Sequence, residues 1–187
     1  MKEQYFVATH TERCVPVRQG LRAAIVADLH NRPAHRLAEA LRAWRPDVIL
    51  IPGDLMETIE YGPGDYHRLF PRWYGCDHAL DFLEEMQAVA PVCYTTGNHD
   101  AKLSDRLRAE LRRRSVHVLC RSSILLGDYR IGGLADGDDS AWLRKFSTQP
   151  GFRILLCHRP ERYQTEVRRY AIGLTVAGHA HGGQWRF

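Results

Sequence analysis

Apolar residues along this chain alternate between two rhythms. Short unbroken runs at Arg22 to Ala27 and Val48 to Ile51, closed by Asp28 and by Pro52-Gly53-Asp54, have the length and composition of buried strands. Between them Leu37, Leu41 and Trp44 recur at helical spacing after Pro33, which predicts an amphipathic helix over Ala34 to Trp44. The rhythm then repeats. A helix over Ala79 to Val89 turns Leu80, Leu83 and Met86 inward, and Val92 to Thr95 reads as a strand closed by Gly97-Asn98. Leu103, Leu107 and Leu111 share one face of a third helix whose other face carries Arg106, Arg108, Arg112 and Arg113, the pattern of a solvated surface. Val116 to Leu119 and Tyr129 to Ala135 are expected to form a hairpin-like pair broken at Gly127-Asp128. Phe152 to Cys157 is a buried strand closed by His158, Arg162 to Tyr170 is expected to be helical, and Ile172 to Ala177 is a last strand closed by Gly178-His179. Thr58 to Asp77, punctuated by Gly62-Pro63-Gly64, Pro71 and Gly75, reads as a long irregular loop of the kind that often carries function.

Composition narrows the class. At 187 residues, with 44% apolar and 26% charged residues, the chain is expected to be one folded domain over 1–187 rather than a disordered or fibrous sequence. The net charge of +4 is mildly basic and favours an anionic substrate without specifying one. No apolar stretch approaches the length of a membrane span and the N-terminus has no signal-like apolar region, so the expected location is cytoplasmic. The 5 cysteines (14, 76, 93, 120 and 157) are scattered, with no C-x-x-C, and are expected to be mostly buried thiols.

The chemistry lies at the strand ends. Asp28-Leu-His30, Gly53-Asp54, Gly97-Asn98-His99-Asp100, His158 and Gly178-His179-Ala180-His181 all sit immediately after a predicted strand. Taken singly, Gly-Asp is an ordinary turn dipeptide and a lone histidine is more often structural. Together they are five strand ends, and the loops beyond the carboxyl ends of parallel strands converge on one crevice. Asp28, His30, Asp54, Asn98, His158, His179 and His181 form a mixed carboxylate, amide and imidazole set that suits divalent manganese, iron or zinc, with manganese the first choice. Without cysteine in the set a structural zinc site is not indicated. Seven ligands exceed what one tetrahedral ion needs and match two ions sharing a carboxylate, an arrangement that clamps both oxygens of a phosphoester in hydrolysis.

The order D-x-H, G-D, G-N-H-D, H, G-H-x-H resembles the signature of the calcineurin-like metallophosphoesterases, and the match runs from Asp28 to His181. Gly178 to Gln184 together with Asp28-Leu-His-Asn31 is most similar to a bacterial branch associated with the cell envelope. The resemblance implies an α/β fold, a sandwich of two β-sheets flanked by helices. It implies one metal on Asp28, His30 and His181, a second on Asn98, His158 and His179, and Asp54 bridging them. It further implies His99 beside the phosphate as general acid or phosphate donor, oriented by Asp100. A metal-bridging hydroxide would be the nucleophile, and a nearby imidazolium would protonate the leaving alkoxide. Members of the family continue past Gly182-Gly183-Gln184 with strands that complete the second sheet, so the sequence reads as C-terminally truncated relative to that pattern.

The expected function is therefore dinuclear metal-dependent hydrolysis of a phosphodiester or phosphomonoester in a small-molecule or lipid-like substrate. Two alternatives stand beside it: a non-catalytic metal-binding scaffold of the same fold, and a metallonuclease using the charge of Arg112, Arg113 and Arg114. The intact His99-Asp100 pair argues against the first. The missing aromatic interleaving argues against the second, so no stable nucleic acid complex is expected. Tyr61, Tyr66, Arg68, Arg72 and Trp73 between Glu57 and Asp77 are candidates for a pocket wall or for packing.

Overall fold

The computed structural model describes residues 20–58, 75–100 and 103–181. The candidate pocket wall at Tyr61 to Trp73, Cys14, and the glycines 182 and 183 lie outside these residues. The elements follow in the order β1 (Ala23–Ile25), α1 (His35–Trp44), β2 (Val48–Ile51), α2 (Asp77–Met86), β3 (Val92–Tyr94), α3 (Asp105–Arg113), β4 (His117–Val118), β5 (Ser122–Leu126), β6 (Tyr129–Leu134), α4 (Trp142–Ser147), β7 (Phe152–Cys157), a π-helical turn (Tyr163–Val167) and β8 (Leu174–Val176). Two four-stranded sheets result. The first is β1-β2-β3-β4, parallel throughout, and the second is β5-β6-β7-β8, in which only the β5–β6 pair is antiparallel.

The apolar runs explain the layering. On β2, Ile49 and Ile51 face α1 and α2 with Leu41, Phe82 and Leu83, while Val48 and Leu50 face the second sheet. A strand buried on both faces must be apolar at every position, which is why it reads as a run rather than an alternation. Tyr129, Ile131, Ile154, Leu156 and Val176 supply the other half of the inter-sheet layer. A third layer packs Leu134, Leu155 and Cys157 under Leu143 and Phe146 of α4 and Val167 of the π-helical turn. The chain is thus an α/β sandwich of two sheets flanked by helices, as the sequence implied. Among the described residues no helix is long and apolar enough to cross a membrane.

Three local expectations need correction. Gly127-Asp128 does make a hairpin, but the strand before it is β5, not Val116 to Leu119. β4 instead extends the first sheet on β3, where the Leu119 amide donates to Tyr94 O at 2.7 Å. Arg121, at φ 49°, turns the chain between the sheets, and its amide donates to Gly133 O. In Ser122–Leu126 the apolar residues are half-buried (Ile124, Leu126) or exposed (Leu125), so its pattern is weak beside the fully buried Leu119. Helix α4 has no counterpart in the sequence pattern, because six residues are too few for a helical period to register. Over Arg162 to Tyr170 a single π-helical turn forms, closed by the Arg168 amide on Tyr163 O, with only Val167 buried.

Arginines 113 and 114 of α3 and its C-terminus are engaged by acids. Arg114 is buried and pairs with Glu110 and Glu84, and Arg113 pairs with the same two residues. Through Glu84, two of the three arginines weighed above for nucleic acid hold α3 against α2. Four cysteines, Cys76, Cys93, Cys120 and Cys157, are free thiols, the second and fourth of them buried.

Candidate metal centre

Parallel pairing puts the carboxyl ends of β1, β2 and β3 on one rim, and those of β6, β7 and β8 on the same rim from the second sheet. Backbone hydrogen bonds lace the exits together. His30 N–H donates to Asp54 O, Gly178 N–H to His158 O, and Asp136 N–H, beyond β6, to Thr96 O beyond β3. The last of these joins the two sheets at the rim. Five strand ends are legible in the sequence; the sixth, after β6, is hidden because that strand reads as half of an isolated hairpin.

The rim residues hold an unfavourable backbone. Asp28, His30, Asp54, His179 and His181 all have left-handed φ, between 46° and 68°. Such geometry costs a non-glycine residue roughly 1 to 2 kcal/mol and gathers at sites where side chains must be aimed. Glycines serve here chiefly by being small. A Cβ at Gly97 would collide with Asp54 Oδ1 and lie 2.8 Å from His158 Nδ1, and a Cβ at Gly53, which does have a positive φ of 127°, would lie 2.6 Å from the same nitrogen.

Among the described residues three overlapping groups could hold a cation: Asp28, His30 and His181; His30, Asp54 and His99; and Asp54, His158 and His179, so Asp54 belongs to the last two. Asp28, His30 and His181 converge, with His30 Nε2 3.3 Å from His181 Nε2. Asp54, His158 and His179 also converge, and Asn98 Oδ1 lies 3.1 Å from His158 Nε2 and 2.9 Å from His179 Nδ1. Asp54 Oδ2 stands between them, 3.1 Å from His158 Nε2 and 3.8 Å from His30 Nε2. The H-x-H turn is wrapped onto Asp28, whose two oxygens accept the amides of His179 and His181.

These donors fit divalent cations on their own chemistry. A carboxylate only accepts, so Glu57 Oε2, 2.9 Å from His30 Nδ1, takes that nitrogen's hydrogen and leaves Nε2 with a lone pair aimed at His181 and Asp54. Lone pairs and carboxylate oxygens that face one another repel unless a cation or a proton sits between them. Burial opposes charge on His158, yet its hydrogen bond to Asp54 and the pull of Asp28 and Asp100 outweigh burial and raise its pKa. Burial would likewise raise Asp54, but His158 and the His99 amide hold its carboxyl below the ordinary range. Desolvation lowers His181, with His30 and Arg32 adding to it against the pull of Asp28.

Glu57 was missed in the sequence, although an acid three residues beyond Asp54 on the same strand exit was a legible signal. It is 4% exposed, and its Oε1 accepts from His99 Nδ1 at 2.9 Å while Oε2 holds His30. Burial works against its charge, but the two imidazoles bring its pKa down to about 2. Asp100, expected to orient His99, has its carboxylate hydrogen bonds to backbone amides. Asp100 is fully buried, and its carboxylate accepts the amides of Asp54 and Gly97 on Oδ2 and of Met56 on Oδ1. Adjacent residues in a tight turn diverge: His99 points along the rim to Glu57, and Asp100 points inward and fixes the backbone under Asp54. Burial pushes the Asp100 pKa up to about 6 despite these three donors. Asn31 is also buried, and its Oδ1 accepts the Ala79 amide in the first turn of α2, which ties that helix to the Asp28-Leu-His-Asn segment.

The family model for calcineurin-like phosphoesterases matches residues 21–183, and the chain belongs to that family. An uncharacterised metallophosphoesterase of Campylobacter jejuni is 24% identical over 174 residues, covering 84% of this chain and 41% of the relative. The chain therefore spans about two fifths of the length of that curated relative. Among solved structures, Yfce, a phosphoesterase from E. coli, is similar at 18% identity and a TM-score of 0.38, over 59% of this chain and 55% of that one.

Proposed function

We propose that this chain hydrolyses phosphoester bonds with two divalent cations. Asp28, His30 and His181 would hold one ion, Asn98, His158 and His179 the other, and Asp54 would reach both. Manganese is the first choice of metal, with iron or zinc as alternatives, since imidazole, amide and carboxylate donors suit all three. The observation that carries the reading is the position of Asp54 Oδ2 between His158 Nε2 at 3.1 Å and His30 Nε2 at 3.8 Å. When bound, such a pair of cations supplies a water of lowered pKa and neutralises charge on the phosphoryl group.

The chain's own residues do the rest. His99, with Nδ1–H given to Glu57, presents its other nitrogen on the rim and can deliver a proton to the leaving oxygen. Glu57 stabilises the imidazolium needed for that and keeps His30 in its ligating tautomer. Asp100 holds the strand exits that carry Asp54 and Asn98 in register. The substrate is a small-molecule or lipid-like phosphomonoester or diester. Dialysis against EDTA followed by aryl phosphate mono- and diester assays with added Mn²⁺, Fe²⁺ or Zn²⁺ tests this. Hydrolysis restored by metal is expected, and no metal-dependent turnover on either ester class refutes it.

A further inference from the structure

One basic side chain reaches the rim without being a candidate ligand. Arg159 follows His158 directly, and its guanidinium is forked onto Asp136, with Nε 2.6 Å from Oδ1 and Nη2 3.4 Å from Oδ2. Asp136 comes from the sixth strand exit, after β6, so the guanidinium is fixed by an element the sequence pattern did not bring to the site. The remaining tine, Nη1, lies 3.3 Å from His179 Nε2 and 3.8 Å from Glu161 Oε1. About a third of the side chain is open to solvent (34%), so something approaching the rim can reach it.

Counting hydrogens on His179 gives this contact its meaning. In the tautomer that fits its two neighbours, Nδ1–H donates to Asn98 Oδ1 at 2.9 Å and Nε2 accepts from Arg159. That tautomer cannot ligate through Nδ1, the nitrogen that faces Asn98. Were Nδ1 to give its lone pair to a cation, a neutral ring would carry its hydrogen on Nε2. Two donors, Nε2–H and Nη1–H, would then confront each other across the present 3.3 Å gap and require a common acceptor. An anionic oxygen serves both at once, and a guanidinium held rigid by a carboxylate is a preorganised partner for phosphate.

We propose that Arg159 and the Nε2–H of His179 together hold a non-bridging oxygen of the substrate phosphoryl group, with Asp136 as the positioning residue for the guanidinium. This rests on the phosphoesterase reading above and adds the substrate-recognition residue to it. If His179 Nδ1 were to hold a cation, its Nε2–H and Arg159 Nη1–H would form the donor pair offered to the phosphate.

The test uses inorganic phosphate as probe, titrated by calorimetry into the Mn²⁺-loaded wild type, Arg159→Met and Arg159→Lys, with Mn²⁺ affinity measured separately in phosphate-free buffer. Arg159→Met is expected to weaken phosphate about tenfold or more, the loss of one charged hydrogen bond. Its Mn²⁺ affinity should be unchanged or tighter, since a competing donor has left His179. With an aryl phosphoester KM should rise more than kcat falls. Arg159→Lys, which keeps the charge but not the fork on Asp136, should fall between, and it carries the test if the Met variant does not fold. Wild-type phosphate affinity in either folded variant overturns the proposal. So does a parallel loss of Mn²⁺ and phosphate, which would make Arg159 a support for His179 rather than a phosphate contact. A wild type that binds Mn²⁺ but no phosphate overturns this inference alone, whereas one that binds neither overturns the phosphoesterase reading with it.

Discussion

Replacing Glu57 by glutamine tests the centre with the least disturbance of shape. The carboxylate accepts from His30 Nδ1 and His99 Nδ1, both at 2.9 Å, in a setting where the residue is 4% exposed. A glutamine amide has one acceptor oxygen and one donor NH₂, so it can satisfy only one imidazole in its present tautomer. If the amide nitrogen faces His30, that ring must move its hydrogen to Nε2 and ceases to be a ligand. If it faces His99, the imidazolium loses its counter-charge. Loss of a carboxylate behind a ligating histidine typically weakens metal binding about 10- to 100-fold, which is roughly 1.4 to 2.8 kcal/mol. Loss of a competent general acid typically lowers turnover about 10²- to 10⁴-fold. Calorimetric Mn²⁺ titration and phosphoester turnover, measured on the same preparation, should therefore show at least one of these losses in Glu57→Gln and both in Glu57→Ala. A glutamine variant with wild-type metal affinity and turnover refutes the assignment of Glu57. The same residue sets a pH limb in metal-free protein. Its folded pKa of about 2 lies below the ordinary 4.5, so its contribution to stability is complete above about pH 4.5 and is lost as pH falls toward 2. Urea unfolding between these values should show that acid-side loss in wild type and a flatter profile in Glu57→Gln.

Asp100→Asn should destabilise the fold by about 1 to 3 kcal/mol in urea unfolding, because an amide NH₂ would face one or more of the backbone amides of Asp54, Gly97 and Met56. A change confined to activity, with stability intact, would contradict the backbone-fixing role given to it. Gly97→Ala should cost about 1 to 3 kcal/mol and also weaken metal binding, since its methyl would drive into Asp54 and His158. Unfolding and Mn²⁺ titration at wild-type values would show that the strand exit gives way freely.

The sequence by itself marked the residues that the structure gathers on one rim and roughly where the sheets lie. Val48 to Ile51 could only be a strand buried on both faces, and Asp28, Asp54, Asn98, His158 and the two histidines of the H-x-H turn stood at strand ends because such residues have no place inside an apolar layer. Elements with weak periodicity were not legible. Helix α4 has six residues, β5 is only half buried, and the segment after Pro160 closed as a π-helical turn. What only the tertiary structure decided is which side chains meet. Glu57 reaches His30 and His99, Asp100 turns inward to backbone amides, and Asp136 at the exit of β6 holds Arg159 at the neighbouring exit of β7. Those pairings depend on the direction of each side chain at a strained turn and on which sheet each strand joins, and both are set by packing between distant segments rather than by local residue order.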